Sequence, residues 1–313
     1  MARFIIILFF LAPALVSGNA WSNTRVFERG EQRVEVIFSG LSEEQEGPIA
    51  HWIEATAADL ASVFGHWPRN RWQVLIQGLP ARSGDPIPWA QVNRGNPDRV
   101  TFYVDRTASF SELRANWTAF HEFSHLLIPY RGWGDMWFSE GLASYYQNLL
   151  QARAGLFDER ELWNRLASGF ERGERNHRPD LTLAELSPRM HENRSHMRVY
   201  WTGAWYFLKA DLELRKRSEG LNSLDQVLSE LNECCGERRL SAWQIARTLD
   251  RISGESLFVP LFREISGSYE IPDYRETLRE LGVEVANEQV LLSGDATASS
   301  IRVGIYQGVV KGE

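Results

Sequence analysis

Thr118-Ala119-Phe120-His121-Glu122-Phe123-Ser124-His125-Leu126-Leu127 places two imidazoles four residues apart, with a carboxylate beside the first. On a helix of 3.6 residues per turn, His121 and His125 share a face, so both rings can grip one zinc ion. Glu122 can then reach a water on that metal. Phe120, Phe123, Leu126 and Leu127 are apolar and predict a buried helix whose polar face opens to a cavity. The plain alternative is two ordinary helix histidines, solvated or hydrogen-bonded in a core.

Catalytic zinc takes three protein ligands and leaves one position open. The third is expected from Trp137-Phe138-Ser139-Glu140-Gly141-Leu142-Ala143-Ser144-Tyr145-Tyr146, which follows a loop holding Pro129, Gly132 and Gly134. This aromatic-rich stretch reads as a second buried helix, over Met136 to Ala154. A buried Glu140 needs a partner, because an unpaired charge in a core is costly. Zinc would satisfy it.

The remaining elements must hold these two helices together. Alternation predicts strands at Arg33–Phe38, Arg71–Ile76 and Arg99–Val104, with Ile87–Val92 as a short edge strand. Between the first two, Ser42 to Phe64 reads as a helix capped by Ser42. The metal-site helix is expected over Ser111 to Leu127. Further helices are expected at Asp158–Ser168, Leu183–Leu186, Tyr200–Arg215, Leu224–Leu231, Ser241–Ile252, Leu257–Ile265 and Tyr274–Leu281. Residues 171–182 read as a solvated charged stretch, and the tail offers strands at Gln289–Leu292 and Ile301–Tyr306. The fold class is therefore α+β: a small mixed-sheet lobe (21–109), a mainly helical lobe (110–285) and a tail (286–313).

Composition narrows the function classes. The chain has 313 residues and a net charge of −7. With no basic block it lacks an electrostatic footprint for nucleic acid, and it should not favour anionic lipid. Residues 1–20 carry one charge, Arg3, then an apolar run from Phe4 to Val16 and the small residues Gly18-Asn19-Ala20. This reads as a secretory signal peptide, giving a periplasmic or secreted protein. An uncleaved anchor is the alternative. The only cysteines, Cys234 and Cys235, are adjacent and cannot staple distant segments. They are either a vicinal disulfide or two free thiols.

At His121, Glu122, His125 and Glu140 the sequence resembles the gluzincin metallopeptidases. Aminopeptidase N and its relatives follow H-E-x-x-H with an N-E-G-F-A-S-Y-like segment; Ser139-Glu140-Gly141-Leu142-Ala143-Ser144-Tyr145 is its counterpart. The pattern W-x-S-E-G-x-x-x-Y-Y of the bacterial glycyl aminopeptidases fits Trp137 to Tyr146 throughout. Tyr200-Trp201-Thr202-Gly203 stands where those families have a Tyr followed two residues later by Lys-Gly, with Thr202 in place of the Lys. Asp211-Leu212-Glu213-Leu214-Arg215, Ser223-Leu224-Asp225 and Leu278 to Val283 also look like that family. The resemblance covers roughly residues 110–285. Two features depart from it: only 14 residues separate His125 from Glu140, and no glycine-rich amine-binding strand is recognisable between Gly78 and Val104. A terminal PDZ domain would not fit after residue 285.

The resemblance implies a thermolysin-like zincin fold and zinc-dependent hydrolysis of a peptide or protein substrate. Its ligands would be His121, His125 and Glu140. Glu122 would be the general base and Tyr200 the oxyanion donor; otherwise Tyr200 is a core residue beginning a buried helix. His191 and His196 read as solvated loop residues. Trp133, Trp137, Trp201 and Trp205 read as core rather than cleft wall, and Ser144 is a candidate acceptor for a ligand imidazole. Two other outcomes remain open: a zinc-bearing scaffold without turnover, and a zinc hydrolase of a non-peptide substrate.

Overall fold

The structure, a computed structural model, describes residues 23–81, 84–286 and 289–308. The expected signal segment, 1–20, lies outside them.

The first half is built on a five-stranded sheet. Strands β1 (Asn23–Arg29), β2 (Gln32–Ser39), β3 (Arg71–Leu79), β4 (Trp89–Asn93) and β5 (Asp98–Asp105) are ordered β1-β2-β3-β5-β4. β2, β3 and β5 run parallel, while β1 and β4 are antiparallel edges. In-register rows Val34–Trp72, Val36–Val74–Val100 and Phe38–Ile76–Phe102 form one buried face. A strand buried on one side shows this period of two. Helix α1 (Glu43–Ala61) joins β2 to β3 and sets the Trp52 ring edge-on against Phe102 at 5.3 Å. Ser42 closes its N-terminus in a capping box with Gln45.

The expected single helix over Ser111 to Leu127 is broken. Its parts are α2 (Phe110–Ala115), α3 (Thr118–Ser124) and a 3-10 turn over His125–Leu127. Asn116 is extended, and its side chain accepts from the Thr118 N–H at 2.8 Å. An Asn that satisfies a free helix-start donor restarts the helix there. Phe123 on α3 packs edge-on against Trp72 at 5.0 Å, fixing the histidine helix to the sheet.

The helical half has α4 (Met136–Arg153), α5 (Glu159–Arg175), α6 (Leu183–Leu186), α7 (His196–Arg217), α8 (Leu224–Cys235), α9 (Ala242–Ser253), α10 (Phe258–Ser266) and α11 (Tyr274–Glu280). α5 runs through the start of the stretch read as solvated, because Leu166, Phe170 and Gly173 continue its buried stripe. α4 and α7 meet backbone to backbone. A Cβ at Gly141 would strike Gly203, and one at Gly203 would strike the Trp137 carbonyl, so only glycine allows this approach. Around that contact, Tyr145 donates to Asp211 (3.0 Å) and Tyr146 to Asp225 (2.6 Å). Arg215 pairs with Asp211 and Arg153 with Asp225. The family-like residues Tyr145, Tyr146, Asp211, Arg215 and Asp225 thus form a buried polar lock.

The hairpin β6 (Val283–Ala286) and β7 (Gln289–Leu292) precedes α12 (Ala296–Gln307). The strand expected at Ile301–Tyr306 is therefore helix. Ala298, Arg302 and Ile305 are its buried positions, a helical spacing masked by the charge of Arg302. That guanidinium is spent on the Leu281 and Ser293 carbonyls and on Glu159. Cys234 and Cys235 form a vicinal disulfide.

Candidate active site

α3 carries His121 and Glu122, the 3-10 turn carries His125, and α4 carries Glu140. All four are buried. The His121 and His125 rings stand perpendicular with centroids 4.9 Å apart. One Glu140 oxygen lies 3.2 Å from His121 Nε2 and 3.8 Å from His125 Nε2. One ligand atom from each of the three residues lies within 4.8 Å of the others. Two imidazole nitrogens and a carboxylate oxygen at that spacing are a donor set that fits zinc.

The outward nitrogens are held as well. His121 Nδ1 lies 2.7 Å from Gln147 Oε1, and His125 Nδ1 lies 2.9 Å from Ser139 Oγ. An imidazole that hands one N–H to an acceptor presents its other nitrogen to a metal. The acceptors are thus Gln147 and Ser139 rather than Ser144. Gln147 lies two turns beyond Glu140 on the same helix, a spacing that points both side chains the same way.

Burial sets the electrostatics. Glu122 is pushed up to about 7 by loss of water, a rise that Glu140 adds to and that His121 and Arg94 oppose. Burial lowers His125 to about 3, which keeps its imidazole neutral and ready to ligate. His121 moves the other way: burial would lower it, but its contact with Glu140 raises it. Burial would raise Glu140, yet the two histidines hold it below the ordinary range.

α7 brings Tyr200 to the same place. Its ring stacks on His121 with centroids 5.9 Å apart. Its phenol bonds to Glu140, and burial together with Glu140 and Glu122 raises its pKa well above 10. His196 opens α7 rather than lying in a loop. It sits 6.3 Å from the Tyr200 ring and within 2.9 Å of His191. Thr202 is buried one turn from Arg198, bonding its carbonyl at 2.7 Å and its guanidinium. Trp137, Trp201 and Trp205 are core, whereas Trp133 is exposed. Sequence reasoning passed over Trp117, which the Asn116 break leaves half exposed with its edge toward His121 at 5.5 Å.

Arg94, at the end of β4, is also part of the site. It donates to the His125 carbonyl and pairs with Asp98 at 3.3 Å. Arg69 and Arg131 reach the same carboxylate at 3.0 and 2.7 Å.

Residues 132–206 match the M61 glycyl aminopeptidase family, a stretch that holds Glu140 and Tyr200 and begins after the histidine pair. A search of curated sequences finds no match. Among solved structures, an aminopeptidase N family protein from Idiomarina loihiensis superposes with a TM-score of 0.60 at 18% identity, over 85% of this chain and 50% of that one. An M1 zinc metallopeptidase from Deinococcus radiodurans bound to a Tyr-Ser-Ala substrate gives 0.50 at 18% identity, over 80% and 53%. Legionella pneumophila aminopeptidase A in complex with aspartic acid gives 0.54 at 14% identity, over 80% and 28%. The chain spans about half the length of the first two. Its fold is similar to that of M1 zinc metallopeptidases, and its stretch around Glu140 and Tyr200 is similar to the M61 glycyl aminopeptidase family.

Proposed function

We propose that this chain is a zinc metallopeptidase whose ligands are His121, His125 and Glu140. The observation that carries this reading is the convergence of those three ligand atoms to within 4.8 Å of one another. A zinc ion held there would polarise the scissile carbonyl and supply an ionised water at neutral pH. Glu122 takes the proton of the attacking water and passes it to the leaving amine. Its pKa of about 7 belongs to the site without a dication; positive charge beside it favours the carboxylate. Tyr200 keeps its proton and donates a hydrogen bond to the developing oxyanion.

Other observations support this reading. The substrate captured by the Deinococcus relative is a peptide. Thr202, which differs from the family's usual Lys, is committed to Arg198 inside α7, so that difference lies in packing. A lobe of residues 21–109 and a lobe of 110–285, in thermolysin-like arrangement, would flank the cleft. No helix among the described residues is long and apolar enough to cross a membrane. The apolar segment at residues 4–16 would direct the chain to the periplasm or outside the cell.

The test is metal analysis together with a fluorogenic peptide library, with and without chelator. Hydrolysis that chelation abolishes and zinc restores is expected. Full zinc content without cleavage of any peptide would instead support a scaffold or a non-peptide hydrolase.

A further inference from the structure

A peptide's end is recognised by opposite charge: a free ammonium needs a carboxylate, and a free carboxylate needs a cation. The charged groups acting on Glu122 are His121, Glu140 and Arg94. Glu140 is occupied by the two histidines. That leaves Arg94 as the fixed charge not already assigned to metal or base. It does not stand alone: three guanidiniums, from Arg69, Arg94 and Arg131, surround the single carboxylate of Asp98. The cluster's positive charge, which Glu237 near Arg69 and Glu122 near Arg94 offset in part, lies in a poorly solvated place.

The three arginines differ in access. Arg69 is buried at 3% side-chain exposure, whereas Arg94 and Arg131 keep 16% and 17%. Arg94 bonds the His125 carbonyl and Asp98. Of the five N–H donors of a guanidinium, that leaves three without a partner among the described residues. Arg131, in the segment joining the two ligand-bearing helices, bonds the Gly95 carbonyl at 3.3 Å and leaves its buried Nε without a partner. Asp98 fixes the Arg94 fork beside the metal site and holds Arg131 on its other oxygen.

From this juxtaposition we infer that Arg94, braced through Asp98 by Arg131, forms a carboxylate-recognition subsite next to the metal ligands, so that favoured peptides carry a carboxylate within a residue or two of the scissile bond. This rests on the peptidase reading above. The carboxylate is either the peptide's C-terminus or an acidic side chain. Either accepts the paired N–H groups that a guanidinium presents.

The test is equilibrium binding, by calorimetry, to the zinc-loaded Glu122→Gln chain, which binds without turnover. The probes are an N-acetylated tetrapeptide with a free C-terminus, its C-terminal amide, and the amide with Asp replacing a residue near the end. A charge-assisted hydrogen bond is worth enough for an acid to bind about tenfold or more tighter than the amide. Whether the free terminus or the Asp peptide shows the gain identifies the source of the carboxylate. Arg94→Gln should erase the preference and Arg94→Lys should restore part of it, whereas a purely structural arginine would affect all three peptides alike. Equal affinity for acids and amide in the chain with Arg94 intact overturns the inference, as does a preference that survives Arg94→Gln. Failure of the peptidase reading shows separately, as absent cleavage of every peptide by the chain carrying Glu122.

Discussion

Each role proposed for a residue of the site has its own test. Glu122 is buried with a raised pKa and ligates nothing in the proposed set. Glu122→Gln should therefore retain zinc while losing at least about a hundredfold in kcat; normal turnover would remove it from the mechanism. Gln147 holds the outward nitrogen of His121. Gln147→Ala should weaken zinc affinity about 10- to 100-fold, read by chelator competition. Sequence spacing made the convergence of His121, His125 and Glu140 legible, because one helical turn and one charged residue in an apolar stretch suffice. Gln147 and Ser139 were not legible as the imidazole acceptors. Which of several polar neighbours an imidazole meets depends on how the two helices cross.

Elements position these residues through contacts that tolerate little change. α4 and α7 touch at Gly141 and Gly203, and this contact sets Tyr200 against Glu140. Gly203→Ala gains up to about 1 kcal/mol of helix propensity but meets backbone, and overpacking costs about 1–3 kcal/mol. The clash should win, lowering stability and kcat together in denaturation and rate measurements. Tyr146→Phe removes the donor to a buried carboxylate and should cost about 1–3 kcal/mol with zinc content unchanged. Strands β2 to β5 and most helices follow the sequence periodicity closely, whereas β1 was not read from it. It failed at Asn116, where one side-chain hydrogen bond splits a helix, and at Ile301–Tyr306, where a buried Arg302 hides the helical stripe.

At the scale of the whole molecule, Asp98 ties the sheet to the segment between the histidines and Glu140. It engages Arg69, Arg94 and Arg131, and these reach the carbonyls of Ile128, His125 and Gly95. Burial would raise the Asp98 pKa, but the arginines hold it below the ordinary value. A carboxyl lowered by folding contributes stability that is complete above its unfolded pKa, about 3.9, and lost as the pH falls through the folded value. Asp98→Asn should thus cost about 3–5 kcal/mol near neutrality. That deficit should shrink in urea unfolding below about pH 4; a deficit constant with pH would place the loss elsewhere than in charge. Chelation should likewise lower the unfolding midpoint, since an ion that binds only the folded chain stabilises it.

That two helices bring His121, His125 and Glu140 onto one metal ion is tested most directly by zinc content. Purified chain and the Glu140→Ala variant would be loaded with zinc, dialysed side by side and analysed by mass spectrometry. The expected result is about one zinc per unaltered chain and a small fraction of that in the variant. Equal zinc in both, or none in either, would contradict it.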